Sequence, residues 1–232
     1  MQLEENERIE ELLIDNLKIV QNVSLYRFTS DSVLLSRFVK GKRKERVADF
    51  CSGSGIVGIH FLALNPLTES VTLFEMQKEL FETSLKTIAL NGLEKVRAEN
   101  LRVQDIPKEY DDRFSLILCN PPYEKPTGGF ENADYKKAIC RKELTITLQE
   151  IVAVAYKKLK FGGRFALVNR ADRVAEVLFA LKSSGIEPKR LQFVSGAQGE
   201  KPYLCLVEGV KGGKEGVEVL PTLVNDKRSE RV

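Results

Sequence analysis

The chain of 232 residues has 43% hydrophobic and 30% charged side chains, as globular proteins do, which excludes a disordered, fibrous or collagen-like chain. Its apolar runs are far shorter than the roughly 20 residues that cross a membrane, and the polar N-terminal residues lack a secretory signal pattern, so we expect a cytoplasmic protein without membrane contacts. The net charge is +3, but residues 151–232 carry 15 Lys and Arg against 9 Asp and Glu, which favours a polyanionic partner.

Short β-rich segments alternate with longer helical segments, which predicts an α/β fold with a mostly parallel sheet. Residues 1–46 are predicted to form an N-terminal cap with a polar helix, a hairpin-like stretch around residues 19–28 and a helix over residues 32–39. Residues 47–210 form the main domain, and residues 211–232 form a loosely attached tail. The predicted strands are 47–51, 70–75, 98–103, 115–119, 164–169, 192–194 and 203–208. The predicted core helices are 56–64, 77–91, 135–159 and 173–184.

Histidine and cysteine, the usual zinc ligands, are few and scattered in the chain. No Cys-x-x-Cys pair occurs, and His60 is the single histidine. A zinc site would lack ligands at usable spacing, so we expect no metal. The cysteines are predicted to be reduced core thiols; they are Cys51, Cys119, Cys140 and Cys205.

A glycine-rich turn follows the first core strand and opens a helix. Gly53-x-Gly55-x-x-Gly58 has the spacing of the dinucleotide fingerprint, in which glycines permit a sharp turn and a close approach of the ligand to the backbone. Glu75 ends the next strand, and its two oxygens can accept hydrogen bonds from both ribose hydroxyls. These residues fit NAD and S-adenosylmethionine equally well, because both ligands contain an adenosine ribose.

Two further carboxylates favour S-adenosylmethionine. Asp49, at the end of the first strand, would repel a pyrophosphate but would attract the ammonium and sulfonium groups of S-adenosylmethionine. Asp105 closes the third predicted strand and can accept a hydrogen bond from the adenine amino group. Asp49, Glu75 and Asp105 are therefore predicted to form one row along the carboxyl ends of three strands, where ligands bind in this type of sheet.

Asn120-Pro121-Pro122-Tyr123 follows the fourth predicted strand. The two prolines fix φ and have no N–H donor, so the turn is rigid and presents the Asn120 side-chain oxygen and the Pro121 carbonyl as acceptors. Two acceptors suit an amine whose lone pair is delocalised, because they stabilise the charge that develops as the nitrogen attacks a methyl group. Tyr123 would stack on a flipped-out base. The turn therefore predicts amino-group methylation.

The sequence resembles the class I methyltransferases that carry an Asn-Pro-Pro-Tyr motif, and more narrowly the bacterial tRNA N6-adenine methyltransferases that act beside the anticodon of a valine tRNA. Besides the two turns, the likeness includes the Phe-Thr-x-Asp-Ser run at residues 28–32 and the segments 199–202 and 208–214. The resemblance implies a Rossmann-like, seven-stranded α/β sheet with its last strand antiparallel, behind a short N-terminal cap.

The resemblance also implies residue roles. Contacts to S-adenosylmethionine are implied for Phe28, Thr29, Asp31, Asp49, Gly53, Gly55, Glu75, Met76, Asp105 and Asn120. Catalysis is implied for Asn120, Pro121, Pro122 and Tyr123. The implied reaction is N6-methylation of an adenine in RNA, with tRNA as the partner, and we expect a monomer.

Other functions remain open from the sequence. Protein glutamine N5-methyltransferases share the Asn-Pro-Pro-Tyr turn, but they usually carry a separate N-terminal helical domain for which 46 residues are too few. DNA adenine methylation is disfavoured because the residues after Tyr123 leave no room for a recognition domain. An inactive RNA-binding relative and an NAD-dependent oxidoreductase are the alternatives of a different class.

Overall fold

The computed structural model describes residues 3–12, 14, 16–25, 30–122 and 146–226. Phe28, Thr29 and Tyr123 of the predicted site, and Cys140, lie outside these residues. The strands of the described part are β1 Glu7–Glu11, β2 Lys18–Asn22, β3 Arg46–Phe50, β4 Ser70–Phe74, β5 Val96–Glu99, β6 Phe114–Cys119, β7 Leu159–Arg170, β8 Ile186–Ser195, β9 Leu204–Lys211 and β10 Glu218–Val224. Its α-helices are α1 Ser30–Phe38, α2 Ile56–Leu64, α3 Lys78–Leu90, α4 Leu148–Lys158 and α5 Val174–Ser183.

Most strands of the described part of the chain form one large sheet. Its strand order is β10-β8-β9-β7-β6-β3-β4-β5. Strand β9 is antiparallel to β7 and β8, and the other neighbours are parallel, which confirms the predicted α/β architecture and the antiparallel last core strand. The sheet has eight strands, one more than the seven predicted, because β10 adds to the outer edge of β8.

Two apolar cores lie on the opposite faces of this sheet. Helices α4 and α5 cover one face, where Ile151 and Val177 pack against β6 and β7. Helices α1 and α2 cover the other, where Leu35 and Ile59 pack against β3, β4 and β6. Because both faces are covered, the central strands are predominantly apolar, as in other buried parallel sheets, and Asp49 of β3 is an exception.

Helix α2 approaches the sheet closely at Gly58. A Cβ added at Gly58 would lie 2.9 Å from side-chain atoms of Val71 and Leu73 on β4. The third glycine of the turn is therefore needed for helix–strand packing, as the fingerprint implies.

The N-terminal cap contains a hairpin instead of the predicted polar helix. Strands β1 and β2 pair antiparallel. Ile19 and Val20 of β2 are fully buried, and the Val20 N–H donates to Thr87 Oγ1 of α3 at 3.0 Å. The prediction of a helix was wrong because tertiary contacts to α3 override the helical propensity of the Glu-rich segment.

The predicted tail contains strand β10, which pairs in parallel with β8. Beyond it, the Asn225 side chain donates to Ser30 Oγ at 3.2 Å and so connects this strand to the start of α1. Helix α4 begins with a capping box formed by Thr147 and Glu150. Among the described residues, no helix combines the length and the apolar character that a membrane span needs.

Candidate active site

The glycine turn connects β3 to α2 through left-handed backbone conformations. Cys51, Gly53 and Gly55 have φ values of 55°, 55° and 85°. A Cβ at Gly55 would lie 2.6 Å from Leu73 Cδ1, whereas a Cβ at Gly53 would meet nothing within 4 Å. Gly55 is thus required by packing, while Gly53 faces open space in which a ligand can approach the backbone.

Asp49 is a fully buried carboxylate in β3, one residue before the strand ends. Its Oδ2 accepts a hydrogen bond from the Gly58 N–H at 2.9 Å, but its Oδ1 is buried and has no partner in the part of the chain that the structure describes. Burial raises the pKa of this carboxyl to about 8, the Gly58 hydrogen bond lowers it, and the charge of Glu75 raises it. A cationic group bound here would therefore gain a strong electrostatic partner.

Glu75 follows β4 directly and is also buried. Its Oε2 accepts from the Gly53 N–H and its Oε1 from the Gln77 N–H, each at 2.8 Å. Burial raises the pKa of the Glu75 carboxyl, although backbone N–H donors lower it. Each carboxylate oxygen has a further lone pair, so Glu75 can still accept from two vicinal hydroxyls.

Asn100 fixes the chain beside Glu75, a contact that no sequence pattern indicated. Its Nδ2 donates to the Glu75 carbonyl at 2.8 Å and to the Met76 carbonyl at 3.1 Å. The backbone of Met76 is thus held in place, and its contact with adenine stays a prediction.

Asp105 does not close the third core strand as predicted. Strand β5 ends at Glu99, and Asp105 lies in a short 3-10 helix, Val103–Asp105. The strand assignment was wrong because the chain turns at Asn100, whose side chain bonds back to the end of β4. Asp105 is exposed, and its role toward adenine stays a prediction.

The Asn120-Pro121-Pro122 turn follows β6 at the same edge of the sheet. Asn120 is half-buried, and its Nδ2 donates to Ser32 Oγ of α1 at 3.0 Å. Ser32 is 1% exposed and follows Asp31, the cap residue expected to line the site, which is also buried. The cap helix therefore contacts the proposed catalytic turn directly through Ser32, a contact that the motif analysis missed.

Strand pairing brings the two turns together. Phe50, the last residue of β3, is the register partner of Cys119, the last residue of β6. The Ser52 N–H donates to the Phe74 carbonyl at 3.1 Å, which connects the glycine turn to the end of β4. Because β3, β4 and β6 are parallel, the glycine turn, Glu75 and Asn120 follow adjacent strand ends at the carboxyl edge of the sheet.

The residues present fit S-adenosylmethionine. Among the described residues, the buried Asp49 Oδ1 and Ser52 Oγ have no hydrogen-bond partner, and a ligand bound at the glycine turn would supply one. The open space at Gly53 and the remaining acceptor capacity of Glu75 match a ligand with a cationic group and a ribose diol. No group of three or more His, Cys, Asp or Glu side chains in the described part of the chain has a metal-binding arrangement.

This sheet, with its glycine turn and paired acids, defines an α/β protein of the Rossmann-like type. The family model "Methyltransferase small domain" matches residues 27–184. The match covers more than half of the chain, so the protein belongs to this family.

Individual relatives are distant. The chain is 23% identical over 180 residues to the tRNA1(Val) (adenine(37)-N6)-methyltransferase of Shewanella woodyi, covering 75% of this chain and 72% of that protein. It is 33% identical over 140 residues to the release factor glutamine methyltransferase of Leptospira interrogans, covering 56% of this chain but only 48% of that protein. A crystal structure of a predicted O-methyltransferase from Agrobacterium tumefaciens superposes with a TM-score of 0.68 at 22% identity, covering 84% and 86% of the two chains, which confirms the fold.

Proposed function

We propose that the protein catalyses S-adenosylmethionine-dependent N6-methylation of an adenine in RNA, most directly in a tRNA beside the anticodon. One observation carries the proposal: the pairing of β3 with β6 puts the Asn-Pro-Pro turn next to the glycine turn. A cofactor-binding turn and a turn rich in acceptors then share one edge of the sheet.

The chain's own groups supply binding and charge stabilisation. Asp49 would attract the cationic part of the ligand, and Glu75 would accept from its ribose hydroxyls. When bound, S-adenosylmethionine supplies an electrophilic methyl group on a sulfonium. Asn120 Oδ1 and the Pro121 carbonyl would each accept one N–H of the substrate amine, which holds that nitrogen in place and stabilises its developing positive charge without a strong base.

Two findings support RNA as the substrate class. A relative with matched coverage is named as a tRNA adenine methyltransferase. Residues 151–232 carry an excess of Lys and Arg, which favours binding to phosphates. We propose a tRNA as the partner, and a monomer as the active form.

Protein glutamine N5-methylation is the second candidate. The relative named as a release factor glutamine methyltransferase has the higher identity, although over a shorter stretch. A glutamine amide is also a planar, weakly nucleophilic amine, so the acceptors of Asn120 and Pro121 suit it as well. An inactive RNA-binding relative is the third, and measured turnover would exclude it.

The test offers all acceptor classes to the purified protein. Labelled S-adenosylmethionine is incubated with bulk tRNA from a strain that lacks the gene, with ribosomal RNA and with peptide chain release factors. We expect N6-methyladenosine in the tRNA. Label in glutamine of the release factor alone would establish the second candidate, and absence of label in every acceptor, with the cofactor bound, would support the third.

The Asn120→Ala variant tests the proposed catalytic role. We expect kcat to fall at least about 100-fold, because the variant removes an acceptor that acts on the developing charge. Affinity for S-adenosylmethionine should change less than about threefold. Asn65→Ala is the matched control, since Asn65 is another half-buried asparagine whose side chain bonds the Gly41 N–H and the Phe61 carbonyl far from the turn.

A further inference from the structure

Helix α1 carries two buried hydroxyls on one face. Ser32 and Ser36 are four residues apart, so they lie one turn above each other, and their exposed fractions are 1% and 0%. Each hydroxyl contacts a different element: Ser32 Oγ accepts from Asn120 Nδ2 at 3.0 Å, and Ser36 Oγ lies 2.6 Å from His60 Nδ1 of α2. A buried helix face is normally apolar, so both hydroxyls need a physical reason.

The Ser36 contact is explained by packing between helices. Ser36 also donates to the Val33 carbonyl at 2.8 Å, so a buried network joins α1 to α2. Burial lowers the pKa of His60 to about 4, with the charge of Arg37 acting in the same direction, and the imidazole is therefore neutral at pH 7. This contact lies within the helix layer and touches neither turn of the active site.

The Ser32 contact has a different consequence. An asparagine amide presents an acceptor oxygen on one side and a donor nitrogen on the other, and its terminal torsion is broad and roughly two-fold. An amide turned the wrong way would point its N–H groups at the N–H groups of the substrate amine. The bond from Nδ2 to Ser32 occupies the donor end, which leaves the oxygen on the opposite side of the amide group.

Helix α1 is anchored by hydrogen bonds at both of its ends, so it can fix the position of the Ser32 hydroxyl. Its first residue, Ser30, receives the Asn225 hydrogen bond that follows β10. At its other end, the Phe38 carbonyl accepts from Arg190 Nη1 at 3.2 Å, and the Arg190 guanidinium lies 4.6 Å from the centre of the Phe38 ring. Ser32 is therefore fixed by contacts at both ends of its helix.

We propose that Ser32 is a positioning residue for the methyl transfer: its hydroxyl accepts from Nδ2 and holds the Asn120 amide in the observed orientation, in which Oδ1 is presented to the substrate nitrogen. This inference rests on the proposed function, since it assigns a residue to the same site. It also gives the N-terminal cap a role in catalysis that is separate from covering the cofactor.

The experiment compares Ser32→Ala with Ser36→Ala, which removes a buried hydroxyl from the same helix face. For Ser32→Ala we expect kcat to fall about 10- to 100-fold, because a misplaced catalytic group costs that much, while KM for the acceptor and affinity for S-adenosylmethionine change less than about threefold. Ser36→Ala should keep the wild-type kcat. In the Asn120→Ala background, Ser32→Ala should have no further effect on residual turnover, because both residues act through one contact.

A second measurement does not depend on turnover. The side-chain NH₂ signals of Asn120 in ¹⁵N-labelled protein should shift, and their exchange with water should speed up at least about tenfold, in Ser32→Ala but not in Ser36→Ala. Unchanged Asn120 signals in Ser32→Ala would overturn the proposal, as would an equal loss of kcat in both variants. If the wild type methylates no acceptor while the Asn120 signals respond to Ser32→Ala, the proposed function fails and the orienting contact stands.

Discussion

Two groups of buried charges lie toward opposite edges of the same sheet, and they are satisfied in different ways. Near the amino ends of the strands, the Arg164 guanidinium bonds Glu45 at 2.7 Å and Glu208 at 3.0 Å, with all three residues at most 6% exposed. At the carboxyl ends, Asp49 and Glu75 are buried as deeply, but within the described part of the chain neither has a salt bridge.

We infer from this difference that the Arg164 cluster stabilises the fold, whereas Asp49 and Glu75 are available to bind a ligand. Burying an ion is costly unless it is paired, and the Arg164 guanidinium is paired with two carboxylates of the protein itself, although its Nε has no partner among the described residues. No Lys or Arg of the described ranges forms a salt bridge with Asp49, and burial raises the pKa of its carboxyl to about 8. A cationic ligand would supply a partner for Asp49. Loss of the Arg164 guanidinium should therefore lower the free energy of unfolding, whereas loss of the Asp49 carboxylate should lower the affinity for the ligand.

The largest effect is expected for Arg164→Met. Among the described residues, removing the guanidinium leaves the buried Glu45 without a cation and leaves Glu208 with only Arg190, whose Nη1 is 3.9 Å away, which should lower the free energy of unfolding by about 3–5 kcal/mol. Urea titration measures this value. The control is Arg170→Met, because the Arg170–Asp172 pair is half-exposed and should contribute less than about 1 kcal/mol. A loss below about 1 kcal/mol for Arg164→Met would contradict the view that this cluster supports the fold.

Asp49→Asn should weaken the binding of S-adenosylmethionine without lowering the free energy of unfolding. A neutral amide cannot pair with the ligand's cation, so affinity for S-adenosylmethionine should fall about 10- to 100-fold. The unfolding free energy at pH 8 should not fall, because the buried charge has been removed. Isothermal titration calorimetry and urea titration provide the two readings, with Asp172→Asn at the surface as control. Unchanged affinity would exclude Asp49 from the cofactor site.

The pH dependence of the free energy of unfolding should reflect the titration of the Asp49 carboxyl. Its pKa in the folded protein, about 8, is above the ordinary value of 3.8, so the folded state retains a proton that the unfolded state has lost. The stability that this group contributes is complete below pH 4 and is lost as the pH rises toward 8. The unfolding free energy of the wild type should therefore fall relative to that of Asp49→Asn between pH 5 and pH 8. A constant difference across this range would disprove the raised pKa.

The smallest effect is expected at Gly53. Gly53→Ala puts a side chain on a left-handed residue with φ of 55° and should cost about 1 kcal/mol of stability through backbone strain. Gly92→Ala is a matched control, because Gly92 has φ of 59° and also has nothing within 4 Å of an added Cβ. Cofactor affinity should fall only for Gly53→Ala, whose methyl group enters the ligand's space. Equal affinities of the two variants would place the ligand elsewhere.

The sequence predicted the central part of the fold well because local patterns and burial agree there. Strand β3 is apolar except for Arg46 at its exposed start and Asp49, and the glycines that follow it match a strand–turn–helix unit, which the structure confirms. At the ends of the chain the local patterns were weaker. The Glu-rich segment of β1 was predicted to be helical, and the pairing of β10 with β8 was not predicted.

The sequence by itself indicated the family, the glycine turn, the acids Asp49 and Glu75 that lie before and after it, and the Asn-Pro-Pro turn, because each belongs to a local pattern of neighbouring residues. Only the tertiary structure decided the contacts between distant segments. Ser32 and Asn120 are 88 residues apart, and Glu45 and Arg164 are 119 residues apart. Such pairs leave no periodic pattern in the chain, since they meet only after the sheet has fixed the register of its strands and the helices have packed on its two faces.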